Sequence, residues 1–188
     1  LEDLSVAHSF SAVSITNPHL VAIVDNIDDQ ELEAIGKKAN NNKQLLPKGT
    51  NVNFVKILDE DSIFVRTYER GVGLTPSCGT GMTASSVVVA LYNEKLLGRP
   101  LRVINEGGMI SCTVHENSKG GFFVNFMGNA SYISDFAIEY NKGSFSIIGR
   151  EEAYSTDEKS YSSFTNKRCV AHHCNSRSWL YLSRTSNL

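Results

Sequence analysis

The feature that most constrains the fold is the stretch T-G-M-T-A-S-S-V-V-V-A-L-Y-N-E-K, which runs from Thr80 to Lys95. Its length favours a helix, although Val87, Val88 and Val89 alone would favour a strand. Small residues begin the stretch and apolar residues surround the resulting helix, so it has no polar face to turn toward water. We therefore predict a helix over residues 79–95 that is buried on all sides.

Strand patterns dominate the chain on both sides of this helix. Residues 51–58 alternate between apolar and polar, and residues 63–68 return after a polar turn, which predicts an antiparallel hairpin. Residues 10–24 read as two short strands broken at Asn17-Pro18, because proline cannot donate to a ladder. Acids in the first turn and lysines in the last predict a helix over residues 28–38. Further strands are expected at residues 101–104, 109–114, 122–127 and, with a weaker pattern, 144–148.

Length and composition are those of an ordinary globular chain. The 188 residues suit one domain, or one domain with an extension. A net charge of −2 gives no basic footprint for nucleic acid and no patch for an anionic membrane. No apolar run approaches the length of a membrane span. The four cysteines are too few for a disulfide scaffold of this size, so we expect a reducing, cytoplasmic location.

The character of the chain changes after about Gly149. Residues 151–167 are polar and rich in Ser and Tyr, and the end of the chain has no clear periodicity. We predict a domain over residues 1–140 and an extension of unknown role over residues 141–188. The extension carries C-x-x-H-H-C from Cys169 to Cys174, but these zinc-ligand types are too closely spaced for one tetrahedral site, so we expect no metal.

The segment before the buried helix, E-R-G-V-G-L-T-P-S-C-G-T-G at 69–81, carries the candidate chemistry. Cys78 stands directly ahead of the helix, where the macrodipole and unpaired N–H groups favour a thiolate and so lower the thiol pKa. The N–H groups of Gly79, Thr80 and Gly81 can also hold a substrate carboxylate. This arrangement suits proton abstraction from the carbon next to a carboxylate. The alternative is a buried, unreactive cysteine at a tight turn.

Four motifs follow one another at strand ends and turns, where functional sites usually lie. They are N-P-H at 17–19, N-V-N-F at 51–54, E-R-G-V-G at 69–73 and S-C-G-T-G at 77–81. In this order they resemble the C-terminal half of diaminopimelate epimerases, over about residues 10–138. The resemblance implies the α+β fold of that family, a mainly antiparallel sheet wrapped around a central α-helix.

The resemblance also implies a mechanism that needs neither pyridoxal phosphate nor a metal, so no cofactor is expected. In the family, two cysteines face opposite sides of the substrate α-carbon, and one takes a proton as thiolate while the other returns one as thiol. Cys78 matches the second cysteine in chain order. The first lies in an N-terminal half that we do not find here, and Cys112 is interpreted as packed core. We therefore expect half a site and an inactive chain when it is alone.

Residues around Cys78 match substrate-binding positions of the family. Gly79 and Thr80 match positions whose backbone groups bind the reacting carboxylate. Arg70 is a candidate for the distal carboxylate, because a guanidinium can bind a carboxylate in bidentate fashion. Glu69 matches a residue that meets the substrate ammonium group or tunes the proton transfers. Without the resemblance, Glu69 and Arg70 would be interpreted as a solvated pair at a strand end.

Three further residues are assigned by the resemblance alone. Asn17 and Asn51 match substrate-contacting amides, although asparagine at a turn is usually turn chemistry. His19 matches a histidine near the reacting centre, although a histidine beside proline is more often structural. The implied catalytic set is therefore Cys78, Glu69 and His19.

The implied reaction interconverts LL- and meso-diaminopimelate in lysine and peptidoglycan precursor biosynthesis, in an enzyme that is often a homodimer. Another cysteine-pair isomerase, such as a proline racemase, shares the C-G-T-G turn. Its substrate has no distal group for Glu69 and Arg70 to hold. A third reading is a non-catalytic domain that binds an amino acid or a partner.

Overall fold

The computed structural model describes residues 4–118, 120–128 and 134–152, which fall into two compact units. The first unit, within residues 4–128, contains an eight-stranded mixed sheet with helices α1 and α2, and the second, within residues 134–152, is a two-stranded hairpin. The elements in chain order are β1 (Ser11–Ile15), β2 (Asn17–Ile23), α1 (Asp29–Asn41), β3 (Asn51–Asp59), β4 (Ser62–Glu69), β5 (Gly73–Thr75), α2 (Gly79–Tyr92), β6 (Pro100–Asn105), β7 (Gly108–Glu116), β8 (Phe122–Met127), β9 (Ser134–Asn141) and β10 (Ser144–Glu152).

The large sheet has the strand order β1-β2-β3-β4-β6-β7-β8, with β5 paired to β4. Neighbouring strands are antiparallel except for the pairs β2–β3 and β4–β6, which are parallel. A helix lies between the members of each parallel pair in sequence, as a parallel crossover requires. The predicted hairpin is confirmed, since β3 and β4 pair with Val55 opposite Val65. The predicted α+β class and mainly antiparallel sheet are confirmed as well.

Helix α2 is the centre of the first unit. It contacts β1, β2, β3, β4, β6, β7 and β8, so the sheet wraps around it, and every residue from Gly81 to Ala90 is buried. Val87, Val88 and Val89 pack in one cluster with valines and isoleucines of the strands. Burying a valine contributes roughly 1.5–3 kcal/mol, more than the helix propensity it lacks, which is below about 1 kcal/mol. The predicted central helix is confirmed, and the burial of the three valines explains why they are helical here.

The end of α2 differs from the prediction, which extended the helix to Lys95. The helix ends at Tyr92, and the Asn93 N–H donates to the carbonyl of Val89 at 2.9 Å before the chain continues as a 3-10 helix over Glu94–Leu96. Residues 91–95 are exposed. Beyond Ala90 the helix has left the core, so little apolar burial remains to favour another helical turn.

Strand β3 is buried on both faces, which sets the direction of each side chain. Val52 and Phe54 pack against the α1 side of the sheet, where Leu32 lies. Val55 belongs to the α2 cluster, and the period-two alternation of a strand puts Asn53 on that same face. Asn53 is therefore a polar residue that faces the central helix, and it is fully buried.

Two strands escaped the sequence prediction. β5 has three residues, too few for a period to show, and β9 precedes the predicted strand at 144–148, which the structure extends to β10 at Ser144–Glu152. The pairing of β9 with β10 forms the second unit. The domain boundary at residue 140 remains a prediction. The motif from Cys169 to Cys174 lies outside the described residues.

Candidate active site

Cys78 is the N-cap residue of α2, and its side chain is buried at 6% exposure. Its carbonyl accepts the first helical hydrogen bond, from the Met82 N–H at 2.9 Å. The N–H groups of Gly79, Thr80 and Gly81 precede that bond and have no acceptor within the helix. The predicted position of the cysteine directly ahead of the helix is confirmed.

The predicted lowering of the Cys78 pKa is wrong for this chain. Burial, and after it the negative charge of Glu69, raises the pKa of the thiol to about 11. Hydrogen bonds from Thr80 and from the Gly81 N–H favour the thiolate but are outweighed. The end of a helix is worth about 0.3–1 kcal/mol to a charge, whereas desolvation moves a pKa by up to several units of about 1.4 kcal/mol each. Cys78 is therefore a thiol near pH 7.

Glu69 ends β4 and acts on Cys78 through its carboxylate. The Thr75 hydroxyl donates to Glu69 Oε1 at 2.8 Å. Strand β5 returns alongside β4 with Gly73 opposite Glu69, after a turn in which Gly71 has φ 81° and Gly73 has φ 106°. Glycine adopts these dihedrals without strain. The tight turn thus brings the chain back past Glu69 and on to the cysteine.

Arg70 is exposed and lies beside the loop that precedes β3. Its Nη1 donates to the carbonyl of Lys48, and its backbone N–H donates to Asn51 Oδ1 at 2.9 Å. Gly49 has φ 69°, and a Cβ atom there would lie 2.7 Å from Arg70 Cδ. The structure therefore brings Arg70 and the buried Asn51 together, because the Asn51 amide oxygen binds the Arg70 backbone N–H.

His19 lies at the centre of a buried polar cluster and is 1% exposed. Its Nε2 is 3.1 Å from both Asn17 Oδ1 and Thr80 Oγ1, and its Nδ1 is 3.1 Å from Asn53 Nδ2. Thr80 Oγ1 is 3.6 Å from Cys78 Sγ, so His19 reaches the cysteine through Thr80. Burial lowers the pKa of His19 to about 4, which leaves a neutral imidazole near pH 7. These contacts join Asn17, His19 and Thr80 to Cys78.

Close packing at Gly81 holds the cluster against the helix. A Cβ atom on Gly81 would lie 2.5 Å from Asn53 Oδ1, 2.9 Å from Thr67 Oγ1 and 3.2 Å from Cys78 Sγ. Gly79, in contrast, has nothing within 4 Å of such an atom. Only one of the two glycines at the start of α2 is therefore required by packing.

The turn between β6 and β7 holds the segment ahead of the cysteine. The Gly107 N–H donates to the carbonyl of Pro76 at 2.7 Å, and Asn105 Nδ2 donates to Ser77 Oγ at 3.1 Å. Arg66 Nη1 donates to the carbonyl of Thr75 at 2.7 Å. The backbone on the N-terminal side of Cys78 is thus fixed from two strands of the sheet.

Comparison with known proteins shows the family to which the chain belongs. A family model described as diaminopimelate epimerase matches residues 11–133. This chain belongs to the diaminopimelate epimerase family. The match spans β1 to β8, and so it includes every residue of the cluster around Cys78.

Curated members of the diaminopimelate epimerase family are similar over most of the chain. The diaminopimelate epimerase of Clostridium acetobutylicum is 46% identical over 173 residues, 90% of this chain and 52% of the relative. That of Enterococcus faecalis is 40% identical over 86% of this chain and 50% of the relative. That of Listeria monocytogenes serotype 4b (strain CLIP80459) is 36% identical over 85% of this chain and 48% of the relative. The chain spans about half the length of these relatives.

The sequence did not predict three residues that lie near the candidate site of this diaminopimelate epimerase family member. Asn53 and Thr67 are buried beside His19 and Gly81, and Asn105 holds the segment before the cysteine. The signal for Asn53 is its period: it occupies a core-facing position in the strand N-V-N-F-V, where an amide needs a specific partner. Thr67 and Asn105 show the same signal, because each stands two residues after a core-facing valine in its strand, but their partners come from distant parts of the sequence.

The remaining candidates of the sequence analysis are a second thiol and a metal site. Cys112 is fully buried in β7, and burial raises the pKa of its thiol to about 11, so the prediction of packed core is confirmed. Within residues 4–118, 120–128 and 134–152, no group of metal-ligating side chains is assembled. No helix of these same residues has the length and hydropathy needed to cross a bilayer.

Proposed function

We propose that this chain carries one half of the active site of an enzyme that interconverts LL- and meso-diaminopimelate without a cofactor. The observation that supports this best is the position of Cys78 Sγ at the start of α2, where a thiol shares one helix end with N–H groups that have no acceptor within the helix. A carboxylate bound to the N–H groups of Gly79 and Thr80 would hold the adjacent α-carbon next to this sulfur.

The proposed reaction moves one proton on each face of that carbon. A cysteine thiolate on the opposite face takes the α-proton, and the electron pair delocalises into the bound carboxylate. The Cys78 thiol then gives its proton to the carbanion, which inverts the centre and leaves Cys78 as thiolate and the other cysteine as thiol. In the reverse direction the two cysteines exchange roles. The raised pKa of Cys78, about 11, suits the proton-donating role.

Glu69 and Arg70 are proposed to bind the rest of a diamino diacid. The Arg70 guanidinium is exposed and can bind a distal carboxylate, while the Glu69 carboxylate can meet an ammonium group. An ammonium group at Glu69 would offset the charge that raises the Cys78 pKa, and would so ease formation of the thiolate.

Asn17 and Asn51 are proposed to donate from their amide nitrogens, because the oxygen of each already lies against His19 or the Arg70 N–H. His19 is proposed to act on the proton transfers while neutral, through Thr80. Asn17 and Asn51 would then orient the substrate through their amide N–H groups, since their amide oxygens already have partners.

The opposing cysteine is proposed to come from another domain of the whole enzyme. Cys112 is fully buried in β7, where its thiol contacts Ser86 and Thr83 of α2 and no substrate can reach it, so it does not supply the second thiol. The proposed enzyme is a homodimer of two-domain subunits in the cytoplasm, and it acts in lysine and peptidoglycan precursor biosynthesis. The 188-residue chain alone would be inactive.

The test is epimerisation of diaminopimelate by the intact gene product in deuterium oxide, without added pyridoxal phosphate. Cys78→Ala is expected to abolish both inversion and deuterium incorporation at the α-carbon. Cys112→Ala is the matched control and should retain turnover, because its side chain is fully buried and out of reach of a substrate. Normal turnover by Cys78→Ala would refute the two-cysteine mechanism.

The burial of Cys78 also favours a second candidate, a domain that binds an amino acid without reacting with it. The same assay separates the two. Saturable binding of diaminopimelate by the intact gene product with no deuterium incorporation would establish the binding domain, and incorporation with inversion would exclude it. Epimerisation of proline in place of diaminopimelate would instead indicate a proline racemase-like enzyme.

A further inference from the structure

The orientation of the Asn53 side chain is fixed by the backbone carbonyl of Leu20, the one neighbour of its amide that can only accept a hydrogen bond. Its Nδ2 lies 3.1 Å from the carbonyl oxygen of Leu20, which can only accept. Its Oδ1 accepts from the Thr67 hydroxyl at 2.9 Å. A flipped amide would press its oxygen against the Leu20 carbonyl in a fully buried position, at the cost of an unsatisfied pair. Asn53 therefore presents an N–H to His19.

The second hydrogen of this amide decides where the imidazole carries its own hydrogen. Asn53 Nδ2 is 3.1 Å from His19 Nδ1, so Nδ1 must accept. A neutral imidazole that accepts at Nδ1 carries its hydrogen on Nε2. That N–H then points toward Asn17 Oδ1 and Thr80 Oγ1, each at 3.1 Å.

The tautomer in turn decides the direction of the Thr80 hydroxyl. When Thr80 Oγ1 accepts from His19 Nε2–H, its own hydrogen is free to be donated to Cys78 Sγ at 3.6 Å. With the hydrogen on Nδ1 instead, Nε2 would be an acceptor and would draw the Thr80 hydrogen away from the sulfur. The titratable groups that face Cys78 are Glu69 from β4 and, through Thr80, His19 from β2. Only the hydrogen bond from Thr80 depends on the tautomer.

We propose that Asn53 is a positioning residue that fixes the Nε2–H tautomer of His19 and thereby directs the Thr80 hydroxyl to donate to the Cys78 sulfur. The donors run in one direction, from Asn53 to His19 to Thr80 to Cys78. A sulfur that receives this hydrogen bond is stabilised as thiolate, which is the form that each catalytic cycle must pass through. The catalytic consequence rests on the proposed function, but the tautomer and the thiol reactivity do not.

The primary test is the 15N NMR spectrum of the histidine rings in the 188-residue chain, because the shift distinguishes a protonated from an unprotonated ring nitrogen. The His19 signals are identified by their loss in His19→Gln. We expect wild-type His19 to carry hydrogen on Nε2 at pH 7. Hydrogen on Nδ1 in the wild-type chain would overturn the proposal, and this measurement requires no variant of Asn53 to fold.

The second test compares Asn53→Leu with the control Thr67→Val. Asn53→Leu keeps a similar size but removes the N–H, so the His19 hydrogen should move to Nδ1 or distribute between both nitrogens. Thr67→Val removes the partner on the other side of the same amide but leaves the bond from Asn53 to His19. The control should therefore keep the Nε2–H tautomer. It loses one buried hydrogen bond, from Thr67 to Asn53, whereas Asn53→Leu also loses the bonds to His19 and to the Leu20 carbonyl.

The readout at the cysteine is the pH dependence of Cys78 alkylation, followed by mass spectrometry of the peptide that contains it. Loss of a hydrogen bond to the thiolate raises the thiol pKa by about one unit or more, and each unit lowers the thiolate fraction about tenfold. We expect roughly tenfold slower alkylation at pH 8 in Asn53→Leu, and no comparable change in Thr67→Val. Equal alkylation profiles in wild type and Asn53→Leu would overturn the proposal. If the intact enzyme failed to epimerise diaminopimelate while these results held, only the proposed function would be refuted.

Discussion

Replacing Gly81 by alanine tests how tightly the candidate site is packed against α2. The added methyl would lie 2.5 Å from Asn53 Oδ1 and 2.9 Å from Thr67 Oγ1, where ordinary contact begins at 3.4 Å. Both neighbours are buried and hydrogen-bonded to each other, so neither can withdraw without loss. The variant therefore forces the helix start and the strand apart by several tenths of an ångström or more.

The magnitude follows from two opposing terms. Overpacking a well-packed site costs about 1–3 kcal/mol. Alanine regains up to about 1 kcal/mol of helix propensity over glycine, and less near a helix start. We expect Gly81→Ala to lower the free energy of unfolding by about 1–2 kcal/mol. With a typical urea slope, the midpoint of unfolding should fall by about 0.5–1 M.

Gly79→Ala is the matched control for this experiment. It makes the same chemical change two residues earlier, where nothing lies within 4 Å of the added methyl. We expect it to leave stability unchanged or raise it by up to about 1 kcal/mol, because alanine restricts the unfolded chain. The assay is urea unfolding of the 188-residue chain, followed by circular dichroism. Equal midpoints for the two variants would refute the close approach at Gly81.

The remaining predictions concern pH, a buried cation and core packing. Burial lowers the pKa of His19 in the folded chain to about 4, from 6.5. Between these two pH values the unfolded chain binds this proton and the folded chain does not. The free energy of unfolding should therefore fall as pH decreases from 6.5 toward 4, by up to about 3 kcal/mol. His19→Gln should flatten this part of the pH–stability curve, and an unchanged slope would contradict the prediction. Arg66→Leu should lower the free energy of unfolding by about 1.5–3 kcal/mol, since Arg66 binds Asp29 through both carboxylate oxygens and also pairs with Glu106 at 3.0 Å. The two carboxylates left behind are partly exposed, so the loss should not exceed this range. A loss below about 1 kcal/mol, the worth of a surface pair, would contradict the prediction. Val89→Ala should lower the free energy of unfolding by about 2 kcal/mol in the same urea assay, because Val89 is 1% exposed on the central helix. The control Leu91→Ala should lower it far less, because Leu91 is 45% exposed. Equal losses in the two variants would contradict the burial of α2.

Much of the fold was predictable because local patterns and tertiary packing agree. The helix predicted over residues 79–95 has no polar face, and the structure encloses α2 within the sheet from Gly81 to Ala90. The alternation in residues 51–58 and 63–68 predicted the hairpin that β3 and β4 form. β5 was missed because three residues show no period, and the last residues assigned to α2 were wrong because they lie outside the core.

The sequence predicted which residues lie near Cys78 better than it predicted the pKa of the Cys78 thiol. The motifs identified Cys78, Glu69 and His19, and the structure brings Glu69 and, through Thr80, His19 to the cysteine. Asn53 was missed because its partner His19 is distant in sequence and reaches it only through the parallel pairing of β2 with β3. A sequence pattern records which groups are present, but a hydrogen bond between strands depends on their register.

Local properties of the chain, namely helix length, small residues and apolar composition, were enough to predict a cysteine at the start of a buried helix. The protonation state of that cysteine, in contrast, depends on the assembled fold. The helix end favours thiolate, but burial and the Glu69 charge raise the pKa to about 11. Desolvation depends on every element that covers Cys78, and the position of Glu69 depends on the turn that pairs β4 with β5. Both are properties of the assembled fold, and in magnitude they exceed the contribution of the local helix.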